Sequence, residues 1–267
     1  MDQKWKAFYC STSVANFRDG LQRKFKTPEW HWLKHSFKPA VFFGLYNPVD
    51  YFRFLWHRGE KMVFWCGGDI LNLKRRKVWQ KVLNLARAKH VCENQVEYDA
   101  LKEMGIESEI RPCLIDAIET NEIAFLRRFS THVYLCAHNG REDEYGVSEI
   151  EAIAPRLPSV IFHIYGVDGR SKSPNVKYHG FVSPEVFNYD IRHYQAALRL
   201  NSFDGFSEIL ARSAILGQYP ISRIQYPFMD HAPDTDTLVA MLRLLSAKSE
   251  PNYVARAYWI QELARPI

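Results

Sequence analysis

The chain has 267 residues, 47% of them apolar and 24% charged with both signs mixed, which is enough to bury one large core or two modest ones. It contains no low-complexity tract, which argues against long disordered regions, and its five cysteines form no CxxC pair of the kind that holds zinc. It also contains no signal-peptide pattern and no apolar run of about 18 residues. We therefore expect a cytoplasmic protein.

Short β-rich runs alternate with helical patterns through the first half of the chain. The predicted strands cover about residues 5–10, 40–43, 62–66, 89–92 and 108–112. The predicted helices cover about residues 16–25, 48–58, 73–88 and 97–104, and Gly105 closes the last of them as a left-handed cap. This alternation predicts a parallel sheet with helices on both faces.

The same alternation restarts after a connector at about residues 115–130, which is expected to contain a helix. Strands are predicted at about 133–137, 160–165, 176–179 and 196–200, and helices at about 147–156, 184–190 and 208–216. The predicted fold class is α/β, with two Rossmann-like lobes, 1–120 and 121–250, facing an interlobe cleft. A last helix within 251–267 is expected to cross back to the N-terminal lobe.

The segment from residue 198 to residue 217 places an acid and a glycine in a turn between a strand and a helix. The turn reads Asp204-Gly205-Phe206-Ser207. Backbone N–H groups at the start of such a helix, together with the positive end of its dipole, form a binding site for phosphate. A diphosphate leaving group fits such a site. The alternative is an ordinary turn in which Ser207 only caps the helix.

This turn carries a family resemblance. The turn, the helix of small residues after it and the sequence Leu-Gly-Gln-Tyr-Pro-Ile at 216–221 resemble the signature of family-4-like glycosyltransferases of the GT-B type. The usual form is Glu-Gly-Phe-Gly, an Ala-rich helix and then Gly-x-Pro-Val. One branch has Asp-Gly instead, with an arginine a few residues earlier, which Asp204 and Arg199 match. The resemblance covers about residues 40–225.

Further blocks follow in the order that the resemblance requires. His138–Arg141 with Tyr145–Gly146 is similar to the Gly-Arg…Lys-Gly turn that opens the C-terminal lobe. Residues 177–182 resemble the loop that meets the nucleotide base. Residues 65–70 resemble the Gly-x-Asp turn on the acceptor side of the family's N-terminal lobe. Residues 89–112 resemble the strand, helix and strand that end that lobe.

The resemblance implies a role for each matching residue on the donor side. The backbone N–H groups of Gly205, Phe206 and Ser207 would hold the diphosphate, and Arg141 would neutralise it as its bond to the sugar breaks. Asp204 would form hydrogen bonds with hydroxyl groups of the donor sugar.

Phe181 and Val182 would border the nucleotide base. On the acceptor side, the turn of Gly67, Gly68 and Asp69 provides a carboxylate that would orient or deprotonate the acceptor hydroxyl. The alternative for Asp69 is a structural role as the cap of the helix after Gly68.

The sequence departs from the family pattern at two positions. The second glutamate of the motif, which grips the ribose hydroxyls, is replaced by Arg212, a cation with no acceptor atom. The lysine of the first turn is replaced by Tyr145. Arg199, Arg212 or Arg223 are candidates to supply the missing charge, and His138 is a candidate to contact the donor.

No metal or bound cofactor is predicted. The ten histidines show no HExxH spacing, and the one DxD sequence, at 234–236, falls in a segment interpreted as a polar loop. GxSxG, the Walker loop and GxGxxG are all missing, which disfavours a hydrolase, an NTPase and a dehydrogenase. The nucleoside diphosphate sugar would be a donor substrate.

Three functions remain. The first is a metal-independent glycosyltransferase that acts on a hydroxyl of a glycan or glycolipid, with retention if the mechanism follows the family. The second is a degenerate GT-B domain that binds without catalysis. The third is a nucleic-acid-binding α/β protein, which depends on the basic run Lys74–Lys77; this run is otherwise a solvated helix face or a contact with an anionic membrane.

The N-terminal region contains aromatic and basic residues close together. Trp30 and Trp32 are followed by Lys34 and Lys38, a combination that suits peripheral contact with a membrane carrying a lipid-linked acceptor. The alternative is a partly buried amphipathic segment.

Overall fold

The structure is a computed structural model that describes residues 4–115, 122–125 and 130–265. The chain divides into two α/β units. The first takes the chain up to residue 117 together with the short segment Phe203–Phe206, and the second takes residues 118–202 and 207–266. The helix expected in the connector lies largely outside the described residues.

Within the described residues, the sheet of the first unit has five parallel strands in the order β1-β2-β3-β4-β5. They are β1 (Ala7–Cys10), β2 (Ala40–Phe43), β3 (Lys61–Phe64), β4 (Lys89–Cys92) and β5 (Glu109–Ile110). Phe42 pairs with Val63 and points to one face, while Phe43 stacks on Phe64 at 5.1 Å on the other. Both faces of the strands are apolar because both are covered.

The helices of the first unit cover the two faces unequally. They are α1 (Arg18–Phe25), α2 (Trp32–His35), α3 (Pro48–Trp56), α4 (Gly68–Lys74), α5 (Lys77–Leu85) and α6 (Gln95–Glu103). Helices α3 to α6 pack on the face that contains Phe42, and α1 packs on the face that contains Phe43. Gly105 ends α6 in the left-handed region, with a φ of 78°, which confirms the predicted cap.

The single helix predicted over 73–88 is wrong, because the chain forms α4 and α5 with a break at Arg75–Arg76. Arg76 has non-helical backbone angles. The Gln80 side chain donates to the carbonyls of Leu73 and Lys74 at 2.9 and 3.2 Å. These bonds satisfy the last carbonyls of α4, so the helix can end without a glycine.

The described part of the second unit has a six-stranded parallel sheet in the order β11-β10-β9-β6-β7-β8. The strands are β6 (Thr131–Cys136), β7 (Val160–Tyr165), β8 (Val176–Gly180), β9 (Ala196–Arg199), β10 (Ile221–Ser222) and β11 (Asp230–His231). The prediction of two Rossmann-like α/β units with parallel sheets is confirmed.

Helices cover both faces of this second sheet. They are α7 (Val147–Ile153), α8 (Pro184–Ile191), α9 (Glu208–Ile215), α10 (Thr235–Leu245) and α11 (Tyr253–Leu263). Helices α7 and α10 share one core with Val133 and Phe162. On the other face, Phe187 of α8 meets Tyr134 edge to face at 6.0 Å. Helix α11 packs against α9 within the second unit. Its expected contact with the N-terminal lobe stays a prediction.

The interpretation of residues 234–236 as a loop is wrong, because they begin α10. The Asp234 side chain accepts a hydrogen bond from the Thr237 N–H at 2.7 Å, which caps the helix. Asp236 lies in the first turn, where its charge is favourable to the helix dipole.

Three histidines form a hydrogen-bonded row across β6, β7 and β8. His132 Nδ1 lies 2.9 Å from His163 Nε2, and His163 Nδ1 lies 2.9 Å from His179 Nε2. The Tyr194 hydroxyl lies 3.2 Å from His163 Nδ1. The row gives the buried His163 ring hydrogen-bond partners on both of its nitrogens within the sheet.

None of the described helices is long and apolar enough to cross a bilayer.

Replacement of Leu242 by alanine is expected to lower the free energy of unfolding by about 2–5 kcal/mol, because this side chain is fully buried between α10 and the sheet. Urea denaturation measures the change. Leu244, on the same helix, is 65% exposed, and its replacement by alanine should cost less than about 0.5 kcal/mol. Equal losses in the two variants would contradict this packing of α10.

Candidate functional site

The second sheet has a topological switch point between β6 and β9. Strands β7 and β8 extend the sheet to one side of β6, and β9 to β11 extend it to the other. Ligands of open α/β sheets bind outside the carboxyl ends of the strands at such a point. Here β6 ends at Cys136 and β9 ends at Arg199, so the predicted donor residues His138 and Arg141 follow one strand, and the Asp204 turn follows the other.

Two arginines meet at one tyrosine ring at this switch point. The guanidinium carbons of Arg141 and Arg199 lie 5.6 and 4.4 Å from the centre of the Tyr145 ring. Arg141 Nε also donates to Glu144 at 3.0 Å, and the His138 ring meets Tyr145 edge to face at 5.5 Å. A tyrosine at the position of the expected lysine therefore gathers two cations by cation–π contact.

A close backbone approach holds these two strand ends together. Gly146 precedes α7 with a φ of 85°, and a Cβ atom at this position would lie 2.7 Å from the Leu200 Cβ. Only glycine tolerates both the left-handed angle and this contact. The turn after β6 and the segment after β9 are thus fixed next to each other.

Arg212 extends the cationic group from α9. Burial raises the pKa of the Cys136 thiol at the end of β6 to about 12, whereas the positive charges of Arg199 and Arg212 act in the opposite direction. Arg212 Nη1 donates to Asn188 Oδ1 at 3.2 Å. Arg223 is held elsewhere, because it donates to the Ala232 carbonyl at 2.6 Å and pairs with Glu149.

The residues predicted to border the base follow β8, two strands away from β6. Phe181 is 71% exposed, and Val182 is partly exposed. Their role stays a prediction.

The Asp204 turn belongs to the first unit, where it is bound by residues at the end of β4. The Asn94 side chain donates to the Asp204 carbonyl at 2.7 Å, and the Phe206 N–H donates to Glu93 Oε2 at 2.9 Å. A side chain on Gly205 would collide with the Glu93 carboxyl group. The Phe206 amide, predicted to hold a diphosphate, therefore holds a carboxyl group of the protein itself.

Ser207 stands at the N-cap of α9, but its side chain makes no capping hydrogen bond within the described residues. The position agrees with the interpretation of this serine as the helix cap, whereas a capping hydrogen bond from its side chain is not formed in the part of the chain that the structure describes. The binding of phosphate by this turn stays a prediction.

Asp69 is fully buried and bonded to the backbone on three sides. Its carboxyl group accepts hydrogen bonds from the N–H groups of Leu45, Cys66 and Ile70 at 3.2, 3.0 and 3.0 Å. Burial raises its pKa to about 6. The cap of α4 is Gly67, so Asp69 is not the helix cap. Its role toward an acceptor stays a prediction and requires a change that exposes the carboxyl group.

The glycines beside Asp69 allow close approach of the chain. A Cβ atom at Gly67 would lie 2.7 Å from the Gly205 nitrogen, and one at Gly68 would lie 3.3 Å from the Tyr46 ring. Gly67 also has a φ of 83°. The acceptor-side turn is thus packed against the Asp204 turn.

Glu93 and Glu97 form a buried acidic pair that the sequence did not reveal. Glu93 Oε1 accepts a hydrogen bond from the Cys113 N–H at 3.2 Å, and the Glu93 N–H donates to Glu97 Oε2 at 2.6 Å. Glu97 Oε1 is buried without a partner in the described part of the chain. Burial raises the pKa of both groups well above the usual range, and mutual repulsion raises it further for Glu97.

One signal could have found Glu93. It follows β4, next to the end of β3 where the Gly67 turn begins, and carboxyl ends of parallel neighbours meet at one edge of a sheet. In the described residues, no group of three histidine, cysteine or acidic side chains could hold a metal ion. The prediction about cofactors stays an expectation.

Solved structures of GT-B glycosyltransferases share this fold. HepE from Anabaena, solved with UDP, is 11% identical with a TM-score of 0.67, covering 97% of this chain and 95% of HepE. The lipopolysaccharide outer core galactosyltransferase WaaB is 13% identical with a TM-score of 0.63, covering 95% and 78%. The pneumococcal O-GlcNAc transferase GtfA, solved with UDP and GlcNAc, is 12% identical with a TM-score of 0.56, covering 84% and 53%.

Identities this low show the fold alone. TarM, another solved structure, is 12% identical with a TM-score of 0.59, covering 85% of this chain and 52% of TarM. The chain thus spans about half the length of GtfA and of TarM. No protein-family model and no curated protein sequence matches it.

Replacement of Glu97 by glutamine is expected to flatten the fall of stability with pH. A raised pKa in the fold means that the folded protein keeps a proton that the unfolded chain loses above about pH 4.5, so stability decreases as pH rises from there toward the folded pKa. Glutamine resembles the protonated acid and does not titrate. Between about pH 5 and about pH 8, the free energy of unfolding measured by urea denaturation should therefore fall less for the variant than for the wild type.

Glu103 is the matched control for this test. It lies on the same helix with an exposed side chain, so Glu103→Gln should keep the wild-type dependence on pH. If the stability of Glu97→Gln depends on pH just as that of the wild type does, Glu97 is ionised in the folded protein.

Proposed function

We propose that the chain is a glycosyltransferase that moves a sugar from a nucleoside diphosphate sugar to a hydroxyl of a glycan or glycolipid. The observation that carries this proposal is the pair Arg141 and Arg199, gathered on Tyr145 at the switch point of a Rossmann-like sheet. Similar folds solved with UDP, in HepE and GtfA, add support. The likeness to family 4 is part of the proposal.

The proposed chemistry places the charge of the leaving group beside these two arginines. As the bond between the sugar and the diphosphate breaks, negative charge develops on the departing phosphate oxygen, and guanidinium groups fixed nearby stabilise it. The acceptor oxygen forms the new bond to the sugar carbon, and its proton passes to the departing phosphate. The configuration at the sugar carbon is retained if the acceptor oxygen arrives on the same face of the sugar ring from which the phosphate oxygen departs. Two fixed cations also supply the charge that a divalent ion would otherwise provide, so the proposed reaction is metal-independent.

Asp204 is proposed to bind hydroxyl groups of the donor sugar. Its carbonyl is fixed by Asn94, and its side chain is partly exposed. Arg212 stands where the family pattern has a glutamate, and a guanidinium group cannot accept a hydrogen bond from ribose. We therefore expect Arg212 to contact the phosphates, with the ribose held in another way.

A glycolipid acceptor would bring the protein to a membrane surface. Peripheral membrane contact of a cytoplasmic protein is accordingly part of the proposal.

A binding domain without catalysis is the second candidate, and one contact favours it. The Glu93 carboxyl group occupies the Phe206 N–H, which a diphosphate would need. An anionic ligand must therefore displace Glu93 or bind without that amide.

UDP and GDP should bind the wild type in calorimetric titrations, and replacement of Arg199 by alanine should weaken the better ligand about tenfold or more, because a hydrogen bond to a charged group contributes about 1.5–3 kcal/mol. Arg156→Ala is the control, since this arginine lies on the surface near Asp236 at 3.6 Å. A wild type that binds neither nucleotide, nor their sugars, at millimolar concentration would remove the basis of the proposal.

Replacement of Glu93 by alanine should strengthen nucleotide binding by roughly tenfold, because it opens the Phe206 amide to the ligand. Glu93→Gln keeps an acceptor oxygen and should change the affinity less. If the wild type binds nucleotide but transfers no sugar to an acceptor, the binding domain is supported. Equal affinities in wild type and Glu93→Ala would show that this amide takes no part in donor binding.

A further inference from the structure

Helix α3 has two apolar faces, and one of them is exposed. Tyr51 and Phe54 are fully buried in the core of the first unit. Val49, Phe52 and Trp56 are 54%, 61% and 48% exposed. Their spacing of three and four residues places them on one side of the helix. A surface helix normally carries polar residues on this side, so the exposed stripe needs an explanation.

The exposed stripe continues onto the segment that leads into α2. A cavity of about 580 Å³ is lined by Trp30, Trp32, Phe52, Arg53 and Trp56, together with Glu29 and His31. Trp32 is 52% exposed, and the rings of Phe52 and Trp56 stack at 6.0 Å. We call Trp32, Phe52 and Trp56 the aromatic face. This face combines residues of α2 and α3, so it is a surface built by the fold and not the exposed side of a single helix.

The acidic groups near the aromatic face already have partners. Glu29 pairs with Arg18 at 3.3 Å, and Glu60 pairs with Lys4 at 2.5 Å. Asp50 is buried and accepts hydrogen bonds from the hydroxyls of Tyr9 and Ser11 at 2.6 and 2.8 Å. These are the three acids between residues 27 and 60.

The same stretch contains four cations, and they leave an excess of positive charge. Lys34, Lys38 and Arg58 are exposed and pair with no acid in the described residues, and Arg53 lines the cavity. An exposed aromatic surface on a stretch of chain with an excess of lysine and arginine has the composition of segments that lie in the interface of an anionic bilayer.

Charge complementarity also decides which of three partners fits the aromatic face: a second copy of the chain, a saccharide or a phospholipid surface. A second copy of the chain would bring the same cations face to face across a two-fold axis, which is repulsive. A neutral saccharide offers no counter-charge. An anionic phospholipid surface offers negative charge to the lysines and an interfacial layer to the tryptophans.

We propose that the aromatic face, with Lys34, Lys38 and Arg53, docks the first unit onto an anionic phospholipid bilayer. Trp32, Phe52 and Trp56 enter the headgroup region, and the cations contact lipid phosphates. The contact is shallow and reversible. This inference depends on the first unit alone, so it stands or fails separately from the donor chemistry of the second unit.

Vesicle flotation with the full chain tests the proposal. The wild type should float with vesicles of phosphatidylcholine mixed with phosphatidylglycerol, and should bind phosphatidylcholine alone at least about tenfold more weakly. Added salt should weaken binding to the mixed vesicles, because it screens the cations. A blue shift of tryptophan emission should accompany binding. A wild type that does not float with the anionic vesicles at low salt overturns the proposal.

Matched variants locate the surface. Trp32→Ser with Trp56→Ser should reduce affinity for the anionic vesicles about tenfold or more, with circular dichroism unchanged because both side chains are exposed. Leu85→Ser is the control. Leu85 is 85% exposed at the end of α5, the helix that begins at Lys77, the last residue of the competing basic run.

Three outcomes would contradict the assignment. If Leu85→Ser reduces binding and the tryptophan variant does not, the membrane surface lies on α5. If the tryptophan variant becomes monomeric where the wild type is dimeric, the face binds a second copy. If wild type binds a neutral oligosaccharide but no vesicle, the cavity is a saccharide site. Calorimetry with UDP on the tryptophan variant should match the wild type, which separates this result from the proposed transferase.

Discussion

One buried carboxyl group, that of Glu93, connects parts of the first unit that are far apart in the sequence. It accepts hydrogen bonds from the backbone of Phe206 and of Cys113, while its own N–H is bound by Glu97. A carboxyl group out of water is tolerated only when its oxygens have partners. Two backbone amides from distant segments meet that need, and the Asp204 turn is fixed against β4 as a result.

The second unit concentrates positive charge where its sheet changes direction. Arg141 and Arg199 share the ring of Tyr145, and Arg212 approaches from α9. Two guanidinium groups on one ring repel each other unless other groups compensate their charge. Here the Tyr145 ring and the Glu144 carboxylate do so in part. Relative to the pattern that the sequence resembles, Tyr145 in place of lysine removes a positive charge, whereas Arg212 in place of glutamate replaces a negative charge with a positive one. The site therefore gains net positive charge and loses a carboxylate acceptor.

The sequence predicted the parts of the fold that depend on local pattern. Long apolar runs such as 40–43 and 160–165 became strands at the same positions, because burial on both faces requires continuous apolar sequence. The two-residue strands β10 and β11 carry no such pattern and were missed. Helix α10 was missed because its acidic start was interpreted as a loop.

The candidate site was predictable in its residues but not in its contacts. The order of motifs along the chain identified Arg141, Arg199 and the turn at Asp204. The occupation of the Phe206 amide by Glu93 joins residues 113 positions apart, and no local spacing encodes it. The same is true of the break at Arg76, which depends on a side chain of the next helix.

The membership of Phe203–Phe206 in the first unit has a consequence for biosynthesis. A nascent chain grows from its N-terminus, and domains generally fold as their residues leave the ribosome. The first unit lacks the segment that covers Glu93 until more than three quarters of the polypeptide has been translated. During that interval the Glu93 carboxyl group lacks the Phe206 N–H as a partner, so the unit completes its hydrogen bonds late, and a shortened gene product that stops after β5 would never form this one.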